Sequence, residues 1–346
     1  MTAALRAGVI GVGAMGRHHV RVLSEIPTVE LVAIADVSKD LVDSVASSYS
    51  INGYTDIDAM LEKEQLDVVS IVVPTSLHHE VSIKAMRLGV NVLCEKPIAS
   101  TVELAKEMIQ VANEENVRLM IGHIERFNPA ILELKKRLSQ AGEIYQITSR
   151  RLGPFPDRIR DVGVVVDLAS HDIDAMNFLL DSPAESVFAH TAQRIHATNE
   201  DMIVGSIRFQ NGVIGGLDVN WLTSTKVREL MVVGSHGTFV ADYLTQGLAF
   251  YANGAVESEW DDLADLQRIA IGEFESYEFE KTEPLYAEIE GFVNAVANDT
   301  EVPAPPQGAA NALAVALSLI ESAEIEAPVR PELLPVNENA EFITRK

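Results

Sequence analysis

Two short segments carry side chains that could move a proton and stabilise a negative charge. Lys96 lies in Glu95-Lys96-Pro97, directly after a strand-like run, and Asp167 precedes His171 by four residues. A histidine can remove a hydroxyl proton, and a lysine can stabilise the developing alkoxide. Because residues four apart share one face of an α-helix, we expect Asp167 to contact His171, raise its basicity and hold one tautomer. The residue types leave open whether Lys96 or His171 takes the proton.

A glycine-rich segment near the N-terminus predicts a nucleotide site. It is a G-x-G-x-x-G that follows a strand-like run and opens a helix-like one, and Asp36 ends the next strand-like run. In this dinucleotide fingerprint the start of the helix offers unpaired N–H groups to a pyrophosphate. A carboxylate accepts hydrogen bonds from a ribose 2′-OH and repels a 2′-phosphate, so Asp36 favours NAD over NADP, although Lys39 lies nearby. The predicted cofactor contacts here are Gly11, Gly13, Ala14, Met15, Gly16 and Asp36.

The elements that must position these residues fall into two groups along the chain. Strand-like and helix-like runs alternate over residues 1–123, which predicts right-handed βαβ units and a parallel sheet. After Pro129, strand-like runs follow one another with turn signals such as Asn211-Gly212, which predicts an antiparallel sheet. We therefore predict an α/β protein with a doubly wound Rossmann domain over 1–123. An α+β domain with an open, mostly antiparallel sheet follows over 124–346, and its last helices could pack back toward the first domain.

Composition narrows the functional classes. The chain has 27 Lys+Arg against 51 Asp+Glu and a formal charge of −24, which disfavours binding to nucleic acid or to an anionic membrane. Its single cysteine, Cys94, cannot form an internal disulfide or a cysteine-based zinc site and is typical of a reducing cytoplasm. The apolar runs are shorter than the roughly 18–20 residues that span a bilayer. We expect a cytoplasmic protein with no membrane segment and no metal site.

Four spaced motifs resemble the glucose-fructose oxidoreductase/inositol dehydrogenase (Gfo/Idh/MocA) family over nearly the whole chain. They are the glycine fingerprint, Pro74-Thr75 with His78, Glu95-Lys96-Pro97, and Asp167 followed by His171. The resemblance implies a nicotinamide cofactor, a homodimer or homotetramer, and catalytic positions at Lys96, Asp167 and His171. It also implies that the cofactor lies near Pro74, Thr75, His78 and Glu95, with Glu95 orienting Lys96 or the nicotinamide ribose.

Two further segments, 122–129 and 151–167, are similar to the UDP-N-acetylglucosamine 3-dehydrogenase branch of that family. Guanidinium groups suit bidentate recognition of a diphosphate, and an arginine cluster occurs here. Alternatively, these arginines offset neighbouring acids or lie on an exposed loop. The cluster comprises Arg150, Arg151, Arg158 and Arg160. The predicted substrate contacts are Lys96, Arg126, Asn128, Arg151 and His171.

These features predict an NAD-dependent oxidoreductase that oxidises a secondary hydroxyl of a UDP-sugar and transfers the hydride to NAD. One alternative is a dehydrogenase of a free polyol or sugar such as myo-inositol, since the same three catalytic positions would serve it. Another is a non-catalytic NAD(H)-binding regulator, which would have no need of Lys96, Asp167 and His171.

Overall fold

The computed structural model describes residues 4–156, 162–254 and 271–335, which form two β-sheets and the helices that cover them. The strands of the first sheet are β1 (Leu5–Ile10), β2 (Val29–Ala35), β3 (Asn52–Tyr54), β4 (Val68–Ile71), β5 (Asn91–Glu95) and β6 (Leu119–Gly122). They are parallel and run in the order β3-β2-β1-β4-β5-β6. This is the doubly wound Rossmann order. The connecting helices are α1 (Gly16–Glu25), α2 (Lys39–Tyr49), α3 (Ile57–Lys63), α4 (Thr75–Arg87) and α5 (Val102–Glu114).

The second sheet is mixed and mostly antiparallel. Its strands are β7 (Ile144–Pro154), β8 (Ala184–Ala192), β9 (Met202–Phe209), β10 (Ile214–Asn220), β11 (Leu222–Gly234), β12 (Gly237–Asp242), β13 (Gly247–Asn253) and β14 (Ile271–Tyr277). They run in the order β14-β13-β12-β11-β7-β10-β9-β8, and β7 and β10 form the parallel pair. The fold class predicted from the sequence is confirmed.

Local sequence explains where the main elements begin. The side chains of Ser38, Asp56 and Thr101 accept backbone N–H groups at the starts of α2, α3 and α5, as helix-capping residues do. All four residues of β4 are buried, which fits a central parallel strand covered by helices on both sides. Neither β3 nor α3 was predicted, because Asn52-Gly53-Tyr54 has no apolar run to mark a strand.

Four more helices follow the first sheet in the chain. They are α6 (Pro129–Arg137), α7 (Ser170–Leu180), α8 (Pro284–Ala297) and α9 (Pro306–Ile325). A 3₁₀ turn over Ile124–Phe127 leads out of the Rossmann domain, and a π-helical turn over Val165–Ala169 leads into α7. The sequence predicted regular helix from residue 167 onward, so the π turn is a departure from that expectation.

Helix α9 belongs to both hydrophobic cores. Leu313 packs in the core of the Rossmann domain, while Val315 and Leu319 pack in the core of the second domain. Within the described part of the chain, α9 is the one helix long and apolar enough to cross a membrane, and most of it is buried in the protein. Its composition is that of a core helix shared by two domains.

Candidate active site

The glycine-rich loop has the backbone geometry that a pyrophosphate site needs. Gly11 has φ +88°, and a Cβ there would lie 2.3 Å from the carbonyl oxygen of Val72. A Cβ on Gly16 would lie 1.9 Å from the carbonyl oxygen of Gly11, so the loop and α1 pack too closely for any side chain. Around Gly13, by contrast, no atom of the described residues beyond its chain neighbours lies within 4 Å of the Cβ position. A phosphate could therefore approach the backbone at Gly13.

The carboxylate of Asp36 is fixed beside this loop. Its Oδ2 accepts the backbone N–H of Val12 and its Oδ1 accepts that of Ser38, both at 2.9 Å. The start of α1 has no side-chain cap, which leaves its first amides without a side-chain acceptor. Together, the open backbone at Gly13, the uncapped helix and the oriented carboxylate fit the pyrophosphate and ribose of a dinucleotide.

Lys96 follows β5, and its ammonium is bound by Asp167. Nζ lies 2.8 Å from the Asp167 carboxylate oxygen Oδ1 and 2.8 Å from the Asp167 backbone carbonyl oxygen. Both side chains are mostly buried, at 15% and 13% exposure. The pair links the Rossmann domain to the turn that precedes α7.

The predicted contact between Asp167 and His171 is wrong. The π turn over Val165–Ala169 is wider than an α-helical turn, so positions four apart no longer stack on one face. Asp167 contacts Lys96 instead, and the Nδ1 atom of His171 is buried without a hydrogen-bond partner in the described residues.

His171 is accordingly not made more basic, contrary to the sequence-based expectation. Burial, followed by the positive charges of Lys96 and Arg151, holds the pKa of His171 well below its ordinary value of 6.5. His123 lies edge-on to the His171 ring, with the two ring centroids 6.5 Å apart. His171 is therefore a partly exposed imidazole that stays neutral at pH 7.

Two buried histidines hold the segment that carries Lys96. Glu95 accepts the backbone N–H of Lys96 at Oε2 (3.1 Å), and its Oε1 lies 3.1 Å from Nε2 of His19. The other nitrogen of His19 lies 2.7 Å from the hydroxyl of Ser70 on β4. Burial raises the pKa of Glu95, but the hydrogen bond and charge of His19 outweigh it and lower that pKa.

His78 holds the other side of the segment. Its two ring nitrogens lie 2.7 Å from the carbonyl oxygen of Pro97 and 2.9 Å from that of Val73. Burial lowers the pKa of His78, but Cys94 and the two carbonyls outweigh it and raise the pKa to about 9. His78 is 1% exposed, and its ring links the Lys96 segment at Pro97 to Val73, which follows β4. Pro74 and Thr75 lie at the start of α4, and their contact with a cofactor stays a prediction.

The three other residues predicted to bind substrate make their hydrogen bonds within the protein. Arg126 forms a bidentate pair with Asp174 through Nε and Nη2, both at 2.7 Å. Arg151 is 4% exposed and binds Asp172 and Glu125. Asn128 is 2% exposed and caps α6. These contacts favour a framework role, and direct substrate contact by the three stays a prediction.

Of the remaining arginines in the predicted cluster, the structure describes only Arg150. Arg150 points outward from β7, with its side chain 53% exposed and 3.8 Å from Asp218. Arg158 and Arg160 lie outside the described residues.

Two charged residues near the site were missed in the sequence. Arg228 on β11 is two and four residues before Leu230 and Val232, which are buried, so the three side chains lie on the same face of the strand. Glu288 on α8 is fully buried, and burial together with the charge of Glu95 raises its pKa well above the ordinary value. A charged residue at an inward position of a strand or helix is the pattern that could have identified both.

The fold and this site define a class of protein: a Rossmann-fold oxidoreductase with a lysine, an aspartate and a histidine at the carboxyl edge of the dinucleotide-binding sheet. Residues 5–123 match the model of the oxidoreductase family with an NAD-binding Rossmann fold, and residues 132–240 match the GFO/IDH/MocA C-terminal domain. The chain belongs to the GFO/IDH/MocA family of oxidoreductases.

Similar proteins include enzymes with different substrates. The chain is 32% identical over 85% of its length to UDP-N-acetylglucosamine 3-dehydrogenase of Acidithiobacillus ferrooxidans, covering 89% of that protein. A solved structure of that enzyme superposes with a TM-score of 0.82 at 29% identity, over 94% of this chain and 99% of that one. Inositol 2-dehydrogenase of Rhizobium meliloti is 26% identical over 92% of this chain and 96% of its own length.

Proposed function

We propose that this oxidoreductase is an NAD-dependent dehydrogenase that oxidises a secondary hydroxyl of a UDP-sugar to a ketone. The observation that carries the proposal is the Lys96 ammonium, held 2.8 Å from the Asp167 carboxylate beside a neutral His171. A fixed cation and a neutral imidazole are the two groups that alcohol oxidation needs.

The residues divide the chemistry between them. Lys96 is positively charged in its ion pair with Asp167, so it donates a hydrogen bond to the substrate oxygen and stabilises the charge that develops there. His171 is neutral and accepts the hydroxyl proton. When bound, the nicotinamide ring supplies the hydride acceptor. Asp167 keeps the ammonium in place, and Glu95 and His78 hold the backbone on either side of it.

NAD is favoured over NADP at the ribose end of the site. Asp36 presents a carboxylate there, which repels a 2′-phosphate. Lys39, the nearby basic residue, is bound to Asp43 at 2.8 Å. It is therefore not directed at a 2′-phosphate.

A sugar nucleotide is supported by the 32% identity to UDP-N-acetylglucosamine 3-dehydrogenase over most of both chains. A free polyol is the second candidate, because inositol dehydrogenases are also similar over most of their length. The pairing of Arg126 and Arg151 with buried acids favours this alternative, since it removes two cations from phosphate recognition.

Formation of NADH over a panel of substrates tests the proposal. The panel comprises UDP-N-acetylglucosamine, UDP-glucose, N-acetylglucosamine, myo-inositol and scyllo-inositol, each assayed with NAD and with NADP. We expect turnover with a UDP-sugar and NAD, and little with the free sugar. Turnover confined to an inositol would show that the substrate is a free polyol and not a UDP-sugar. Tight NADH binding without turnover on any substrate would contradict a dehydrogenase role.

A further inference from the structure

Two arginines lie side by side on the inward face of the second sheet. Arg151 on β7 and Arg228 on β11 are direct partners across an antiparallel pair, so their side chains emerge on the same face of the sheet. Leu230 and Val232 share that face and are fully buried. Two like charges in this arrangement repel each other unless each has compensating contacts.

The positive charges of these two arginines are compensated to different extents. Arg151 binds Asp172 through Nε and Nη2, at 2.8 and 3.0 Å, and Glu125 through Nη1 at 2.9 Å. Arg228 donates only from Nη1, to the backbone carbonyls of Leu152 (2.6 Å) and Val227 (2.7 Å). Across residues 4–156, 162–254 and 271–335, no carboxylate pairs with Arg228, and its Nε and Nη2 donate no hydrogen bond.

The Nε and Nη2 atoms, which are without an acceptor on Arg228 in the described residues, are the atoms through which the other arginines of the site bind carboxylates. Arg126 and Arg151 each bind a carboxylate in bidentate fashion through Nε and Nη2. The same pair of atoms on Arg228 presents two parallel N–H donors, a geometry that matches two oxygens of a carboxylate or phosphate. Arg228 is also partly exposed, whereas Arg151 is buried.

Arg228 also lies near the proposed reaction centre, since its charge contributes to lowering the pKa of His171. Its partner Arg151 binds Asp172, which directly follows His171 in the chain. A Cβ on Gly153 would lie 3.7 Å from Nη2 of Arg228, so the glycine leaves that side of the guanidinium uncovered. Glycine inside a strand is often found where a ligand approaches the backbone closely.

We propose that Arg228 is a substrate-binding residue whose Nε and Nη2 bind a phosphate of the sugar-nucleotide diphosphate. This inference rests on the proposed function and identifies the residue that distinguishes a sugar nucleotide from a free polyol. It assigns phosphate binding to an arginine that the sequence pattern did not single out. Arg126 and Arg151 would have to break buried ion pairs to take that role.

The test measures binding of UDP, which carries the diphosphate without the reacting sugar, by titration calorimetry in the presence of NADH. The variants are Arg228→Gln and Arg228→Lys, with Arg208→Gln as control, because Arg208 is exposed on β9 of the same sheet. We expect Arg228→Gln to weaken UDP binding roughly 10- to 100-fold, the range for loss of a charged hydrogen-bonding partner. Arg228→Lys should fall between it and the wild type, because lysine keeps the charge and loses the bidentate geometry.

Two further readouts separate binding from folding. NAD affinity should stay within about threefold of the wild type in all variants, since Arg228 is not placed at the dinucleotide loop. The KM for the UDP-sugar should rise by a factor similar to that for UDP, with a smaller fall in kcat.

The outcomes separate the two claims. If the wild type binds UDP and oxidises a UDP-sugar while Arg228→Gln binds UDP equally well, Arg228 does not bind the diphosphate and the proposed function stands. If the wild type binds no UDP and oxidises only a free polyol, the proposed UDP-sugar substrate and the ligand assigned to Arg228 are both overturned.

Discussion

At the scale of single residues, the site depends on one ion pair and one imidazole that carry different protonation states. The Lys96 ammonium forms an ion pair with Asp167, whereas burial and the neighbouring cations keep His171 neutral. This difference supports the proposed division of roles, in which the lysine stabilises charge and the histidine accepts the proton. Sequence spacing alone could not separate these roles, because it paired Asp167 with the wrong partner.

The low pKa of His171 makes a prediction about the pH dependence of activity. Because the imidazole is neutral well below its ordinary pKa of 6.5, we expect kcat/KM to stay level from neutral pH to below 6.5 before it falls. Initial rates between pH 5 and 8 measure this. A fall in kcat/KM already centred at or above 6.5 would contradict the assignment.

The same shift affects stability. The unfolded chain takes up a proton on His171 below its ordinary pKa of about 6.5, and the folded protein does so only at lower pH, so acid favours the unfolded state. The contribution is complete above 6.5 and is lost as the pH falls from there toward the folded pKa. When the pH is lowered from 7.5 to 5.5, the free energy of unfolding in urea should therefore fall less for His171→Asn than for the wild type.

At the scale of elements, two glycines of the glycine-rich turn have different roles: Gly13 leaves room for a cofactor, and Gly16 allows close helix packing. Gly13→Ala places a methyl group in open space, so we expect a normal free energy of unfolding and weaker NAD binding. Gly16→Ala drives a methyl group into the Gly11 carbonyl, so we expect a large loss of stability. Urea unfolding without ligand and NADH titration by fluorescence measure the two effects. Tight NADH binding by Gly13→Ala would argue that no phosphate approaches this backbone.

A chain of largely buried hydrogen bonds supports the Lys96 segment, and we call it the clamp. It connects three elements: α1 through His19, β4 through Ser70 and β5 through Glu95. His19→Leu leaves the Glu95 carboxylate without its buried donor, and we expect the free energy of unfolding to fall by about 2 kcal/mol. His18 provides the matched control, because it is the neighbouring histidine and is exposed. His18→Leu should change stability by less than about 0.5 kcal/mol. Equal effects of the two substitutions in urea unfolding would show that the clamp is not stabilising.

The sequence predicted the elements with strong periodicity and missed the irregular ones. The glycine turn, β4 and the position of Asp36 follow from local rules, so they could be predicted. The π turn before α7 could not, because nothing in Val165–Ala169 distinguishes it from an α-helical start, and this turn redirects Asp167 to Lys96. The role proposed for Arg228 was also missed, because it depends on which acids its cross-strand neighbour Arg151 has already bound.

At the scale of the whole molecule, the acidity of the chain does not extend to the site. Among the described residues, the ionic cluster on the second-domain side of the site contains four cations and four carboxylates: Lys96, Arg126, Arg151, Arg228, Asp167, Asp172, Asp174 and Glu125. The formal charge of −24 therefore comes from residues outside this cluster. The homo-oligomer and the cytoplasmic location stay predictions.

Because residues of helix α9 complete both cores, we expect the two domains to unfold as one unit. Leu313 is 2% exposed in the Rossmann core, so Leu313→Ala should cost about 2–5 kcal/mol. We expect one thermal transition in calorimetry, shifted to lower temperature in Leu313→Ala and to higher temperature by NAD. Ile325→Ala, at an exposed position of the same helix, is the control and should leave the transition unchanged. Two separate transitions, with only one responding to NAD, would show that the domains unfold independently.

The most direct test of the account is the turnover number of Lys96→Ala at saturating NAD and UDP-sugar, compared with Lys106→Ala, which removes an exposed lysine from α5. We predict that Lys96→Ala lowers kcat by roughly 10²- to 10³-fold, because it removes the group that stabilises the developing alkoxide. NAD affinity should stay within a few-fold of the wild type, and Lys106→Ala should match the wild type throughout. A wild-type kcat in Lys96→Ala would contradict the assignment of Lys96, and with it the proposed mechanism.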